Sequence, residues 1–168
     1  MFLADEPTLG STQVGRCGEV LVQYQLLRHG IESAAITTNL GIDLVAYSPW
    51  MTRSFTVQVR TNLRPKPAGP KGMALDWWLS EAGPAELVAL VELQHERIWA
   101  LRREELVAVA QEASGGRLHV FLYTDSDARP LTPAAGGTFD RFLLKERIHL
   151  LFGNRPGLAV PGTAPHSS

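Results

Sequence analysis

The strongest constraint on this chain is a pair of segments, "GIDLVAYS" (41–48) and "SFTVQVRTN" (54–62), joined by the short link "PWMTR". Both read as short strands, and in the second valines alternate with polar residues, the period of a half-buried strand. A link this short joins strands only as an antiparallel hairpin. A turn centred between Trp50 and Met51 sets Asp43 opposite Gln58, with Cβ atoms ~5 Å apart. Arg60 follows Gln58 by two residues and shares its face, while Val57 and Val59 point the other way. The hairpin thus gathers Asp43, Gln58 and Arg60. Asp43 lies among Ile42, Leu44 and Val45, where an ionised carboxylate needs a charge partner, donors or a metal. Arg60 can be that partner, and the pair then holds two strands in register with no chemistry implied.

The remaining elements follow from period and punctuation. Val14, Cys17, Leu21, Tyr24 and Leu27 or Arg28 recur at helical spacing after Ser11 or Thr12, either of which can cap the helix. Gly30 stops it at "RHG". "ESAAIT", "LVALVEL", "RIWAL" and "LHVFLYT" read as further strands, with "QHE" as the turn between the second and third. "LRPKPAGPKG" reads as a loop, because proline cannot donate to a central ladder. "REELVAVAQEA", closed by "SGG", and "TFDRFLLKERIHLLF" read as helices. This order predicts an α/β (α+β) domain rather than a doubly wound fold, and no Gly-rich phosphate loop is present. Residues 1–10 read as a leader, 11–152 as one domain and 153–168, rich in Gly, Pro and Ser, as a flexible tail.

A chain of 168 residues suits one domain with a real core. A single cysteine, Cys17, excludes an internal disulfide and a thiolate metal cage. No stretch reads as a membrane span or a signal peptide, so a cytoplasmic protein without membrane contact is expected. The net charge of −1 gives no overall basic signature, but its distribution is uneven. Between Leu44 and Leu75 there is no acid, while Arg53, Arg60, Arg64, Lys66 and Lys71 all fall there. Such a stretch can meet phosphate or simply keep a loop solvated.

The segments "GRCGEVLVQYQLLRHGI", "GIDLVAY" and "TVQVRTN" together resemble the PD-(D/E)XK nuclease superfamily, with its helix bearing a Glu, its Asp strand and its (E/Q)-X-K strand. The resemblance is concentrated in residues 15–62 and is similar in kind to archaeal Holliday-junction resolvases and intron-encoded endonucleases, some of which carry Gln for the second acid. It implies a restriction-endonuclease-like mixed central sheet flanked by helices. It implies a DNA endonuclease using Mg²⁺ or Mn²⁺ and no organic cofactor. Asp43, the Gln58 side-chain oxygen, the Val59 carbonyl and Glu19, directly or through water, would hold the metal, with Arg60 on the phosphate. Arg16, Arg53, Asn62, Arg64, Lys66 and Lys71 would meet duplex or branched DNA, and a homodimer would serve two strands. Two residues depart from the pattern. Gln58 removes a negative charge, and Arg60 replaces a lysine; arginine stays charged and cannot act as a general base. The same fold with a structural ion pair would instead be a non-catalytic module that binds nucleic acid or a protein.

Other conspicuous residues have simpler readings. Strand alternation puts one Trp of "DWW" (76–78) in the core and exposes the other, which could stack on an unpaired base. "DSD" (125–127) reads as turn chemistry. The five histidines lack metal-ligand spacing, and His95 belongs to a hairpin turn. Phe142, Leu143, Ile148, Leu151 and Phe152 form an apolar stripe for packing or for a dimer face.

Overall fold

Helix α1 (Ser11–Arg28) ends where the sequence predicts. Gly30 adopts φ 76° and donates to Leu27 O at 2.9 Å, while Ile31 N–H reaches Leu26 O at 3.0 Å. Both orphan carbonyls are thereby satisfied in a Schellman stop. The structure, a computed structural model, describes residues 8–37, 40–124 and 139–156. Most of the expected leader and tail, "DSD" and His166 therefore lie outside the described residues.

The start of α1 differs from expectation. Gly10, not Ser11 or Thr12, is the N-cap, and its N–H donates to Gln13 Oε1 at 2.8 Å. The buried stripe is Gly18, Val22 and Leu26; Tyr24 and Leu27 are exposed. The reason is close approach. A Cβ on Gly18 would lie 1.9 Å from Thr61 Oγ1, so the helix lies on the sheet through its smallest residue.

Strands β1 (Glu32–Ala35), β2 (Leu44–Ser48) and β3 (Arg53–Asn62) form an antiparallel meander. β4 (Lys66–Pro67) and β5 (Met73–Ser80) then cross to a second sheet. The chain returns as β6 (Leu87–Glu92), parallel to β3, and pairs antiparallel with β7 (Arg97–Arg102). Helix α2 (Arg103–Val109), β8 (Glu112–Ser114), β9 (Arg117–Tyr123) and α3 (Leu144–Phe152) complete the order. The first sheet runs β1-β2-β3-β6-β7 and the second β4-β5-β9-β8.

The structure adds three strands to those expected, of which β5 carries the alternating "DWW". β4 lies within the proline-rich loop, at an edge where Pro67 needs no ladder partner. β8 occupies the end of the expected helix. Gly115 and Gly116 both take positive φ, 57° and 73°, and turn Ser114 back onto Arg117. "SGG" thus forms a two-residue hairpin rather than a helix cap. The final helix begins at Leu144, after a 3₁₀ turn at Phe139–Phe142.

Two cores flank the first sheet. On one side Val22 and Leu26 of α1 and Ile148, Leu151 and Phe152 of α3 pack on Val57, Val59, Ala89 and Val91. On the other, Val88 and Leu90 face Trp77, Leu79, Val120 and Leu106 of the second sheet and α2. All six residues of β6 are buried because both its faces are covered. Trp77 is core and Trp78 exposed, as alternation requires.

Candidate functional site

β3 divides its side chains between two different environments. Val57 and Val59 enter the α1–α3 core, and Thr61 lies against Gly18. Gln58, Arg60 and Asn62 alternate with them and so project toward the second sheet and α2. Asn62 is buried and its amide donates to Asp76 O of β5 at 2.7 Å, tying the two sheets together. It is therefore turned inward rather than offered to a ligand.

The hairpin register is the expected one, Leu44 with Val57 through Ser48 with Arg53. One local offset appears at the end. Asp43 N–H donates to Val57 O at 2.9 Å, the residue with which Leu44 already pairs. Asp43 thus sits bulge-like beside the edge of β3 instead of squarely opposite Gln58. Its Oδ2 accepts from Val59 N–H at 2.6 Å and stands 3.7 Å from Arg60 Nη1. The same Nη1 donates to Val59 O at 3.0 Å. The pair is partly open: the Asp43 side chain is 25 % exposed and that of Arg60 41 %.

Gln58 is only 2 % exposed. Its Oε1 faces Arg103 Nη2 at 3.5 Å. Arg103, the first residue of α2, also donates to Ser80 O at 3.1 Å and Ala85 O at 3.2 Å. Burial, and secondarily the charge of Arg60, hold its pKa below the ordinary arginine value. Sequence reasoning missed Arg103. Nothing in "ALRREEL" separates it from Arg102, because its importance comes from a contact across 45 residues.

Glu19 has a different setting. Its carboxylate pairs with Arg16 Nη1 at 2.6 Å along α1. That helix covers the Thr61 face of β3, opposite the face of Gln58 and Arg60. The structure brings Asp43, Val59, Gln58 and Arg60 together, and places Glu19 with Arg16. Arg53 is paired with Glu86 and lies over the Phe55 ring at 4.2 Å. Arg64 and Lys66 are exposed and line a groove of about 670 Å³ with Met73, Gln94 and His95. Lys71 belongs to the 3₁₀ turn Gly69–Lys71. His95 lies in the β6–β7 turn, with Nδ1 3.0 Å from Glu92 Oε1. Trp78 stacks on His119 with ring centroids 4.1 Å apart.

As arranged, these oxygens do not fit a divalent cation. Asp43 Oδ2 and Val59 O face Arg60, and Gln58 Oε1 faces Arg103. A cation there would meet two guanidinium groups with one carboxylate among the gathered residues. Among the described residues, no group of three or more His, Cys, Asp or Glu side chains is placed to hold a metal. No helix among them is long and apolar enough to cross a membrane.

No protein-family model and no curated protein matches the chain. Among solved structures it is similar to MepB, at 12% identity and a TM-score of 0.38, over 75% of this chain and 94% of that one. It is also similar to a bacterial homing endonuclease, I-Ssp6803I, at 14% identity and a TM-score of 0.57, over 85% of this chain and 91% of that one. This second likeness, with the mixed five-stranded sheet and its helices, gives the chain a nuclease-like α+β fold.

Proposed function

We propose that the chain is a nuclease-fold module, 11–152, that binds DNA through its phosphate backbone without cleaving it. The observation that carries this reading is the engagement of Asp43, Val59 O and Gln58 by arginine donors. In a PD-(D/E)XK reading these are the oxygens that would hold the metal. Here they orient two guanidinium groups, which suit phosphate as bidentate donors. Arg64 and Lys66, exposed just beyond β3, add positive charge and line a groove of their own. The nuclease-like fold brings in DNA as the class of ligand.

Fluorescence anisotropy with duplex and branched DNA over a range of salt concentrations tests the reading. The expected result is binding that weakens steeply with salt, with no product when Mg²⁺ or Mn²⁺ is added. Salt-independent binding, or none, overturns it.

A second reading is favoured by the openness of the ion pair. A half-exposed arginine can swing away from a quarter-exposed Asp43, and a metal-dependent endonuclease would then be restored. Cleavage with Mn²⁺ that disappears in Asp43→Ala selects this reading over the first. Cleavage that survives Asp43→Ala excludes Asp43 from the chemistry.

A further inference from the structure

Arg103 has a guanidinium held in place with no counter-ion among the described residues. Three of its donors go to neutral oxygens, Ala85 O, Ser80 O and Gln58 Oε1. A guanidinium carries five N–H donors, so two are left. The neighbouring acids are occupied: Glu86 with Arg53, Asp43 with Arg60 and Glu105 with Arg147. Arg60 is close enough to lower the Arg103 pKa, after burial. Two guanidinium groups thus converge where Asp43 supplies one carboxylate, and one positive charge remains uncompensated among the described residues.

We propose that Arg103, Arg60 and Gln58 form a seat for one phosphate group, on the face of β3 turned away from α1. Asp43 is a positioning residue in this seat, steering Arg60 rather than touching the ligand. The proposal rests on the DNA-binding reading and names the residues that grip one phosphate within it.

Gln58 supplies a second, independent observation. It is almost wholly buried, being 2 % exposed, and its Oε1 takes the Arg103 bond. Its Nε2 has no hydrogen-bond partner among the described residues. With no protein acceptor, this amide keeps its donors for a ligand, and a phosphate oxygen is a strong acceptor for them. Backbone and the Pro84 ring line this corner. A Cβ on Gly83 would sit 2.7 Å from Arg103 Nη2. Gly41, at φ +77°, brings its backbone close to Gln58, and a Cβ there would lie 3.6 Å from Nε2. Glycine at both positions lets two loops approach the donors this closely.

The seat is tested with labelled duplex DNA and with inorganic phosphate alone. In the duplex titration, Arg103→Ala should lower affinity about tenfold and reduce the slope of log K against log salt by about one. Arg103→Lys should recover the slope and only part of the affinity, because lysine keeps the charge and loses the fork. An Arg103→Ala protein with native circular dichroism and wild-type affinity and slope overturns the seat. The wild-type protein supplies a measurement that needs no variant. Inorganic phosphate should shift the NMR resonances of the Arg103 guanidinium and the Gln58 side-chain amide together. If phosphate moves neither, the seat is wrong even where DNA binds through Arg64 and Lys66. If phosphate moves both but DNA does not bind, the seat stands and the DNA reading falls.

Discussion

The two faces of β3 are made by alternate residues of one strand and serve opposite purposes. Toward α1, Val57, Val59 and Thr61 are closed under helices, with Gly18 pressed against Thr61. Toward α2, Gln58 and Arg60 meet Arg103 and Asp43 through polar contacts that leave donors unused. The first face gains stability from area removed from water. The second holds charge half-open to solvent, which contributes little to stability and leaves it available for binding. Closing one face so tightly fixes the strand against which the other is arranged.

The largest expected effect tests the closed face. Gly18→Val sets a branched side chain where even a Cβ would stand 1.9 Å from Thr61 Oγ1. Overpacking at such a contact costs at least about 2–3 kcal/mol, more than the helix propensity gained over glycine. Urea unfolding should show a large fall in midpoint, partly recovered by Thr61→Ala in a double-mutant cycle. An unchanged midpoint would mean that α1 does not approach the sheet this closely.

A smaller pair of effects compares the faces directly. Val57→Ala removes two buried methyl groups and should cost about 2 kcal/mol. Arg60→Ala breaks a half-exposed ion pair and should cost less than about 1 kcal/mol, while weakening DNA binding about tenfold. Should Arg60→Ala cost as much stability as Val57→Ala and leave binding intact, the open face is structural and the contrast fails.

Asp43→Asn should have a smaller effect still. Asparagine can still accept from Val59 N–H, so stability should change by under about 1 kcal/mol. Asp43→Ala leaves that N–H without its partner and should cost more. Equal losses in the two variants would show that the charge on Asp43, rather than its hydrogen bond, holds the hairpin end.

Much of this was legible in the sequence, for physical reasons. Strict alternation through "TVQVRTN" and a short link fixed the hairpin register, and Gly30 marked the end of α1. Trp77 and Trp78 divided between core and surface as alternation demands. What failed depends on contacts between distant segments. The buried stripe of α1 was misplaced because hydrophobicity pointed to Tyr24 and Leu27, while close approach selected Gly18. "SGG" follows a helix-forming run, but two glycines at positive φ serve a hairpin as well as a cap. Arg103 and Glu86 enter the site only through tertiary contacts. Glu19 carries the right residue type on the right helix, yet its local partner Arg16, one turn earlier, holds it.

The smallest expected effect concerns the support beneath Arg103. Glu105 accepts from Arg102 N–H at 2.7 Å and from Arg147 Nη2 at 2.8 Å, closing the first turn of α2 from which Arg103 extends. Burial raises the Glu105 pKa, but the bonds from Arg147 and the Arg102 backbone outweigh it and hold the group below its ordinary value. A depressed carboxylate pKa stabilises the fold fully above the unfolded value, about 4.3 for glutamate. That stability is lost as pH falls through the lower folded value. The advantage of the wild type over Glu105→Gln in urea unfolding should therefore be constant near neutrality and shrink on acidification. The open face should follow. Loosening the start of α2 frees the Arg103 guanidinium, so the variant should bind DNA slightly less tightly than the wild type at neutral pH, with the difference narrowing in acid. A stability gap that stays the same down to about pH 3 would show that Glu105 is not held as an anion by Arg147, and would detach the support of α2 from the charge balance of the open face.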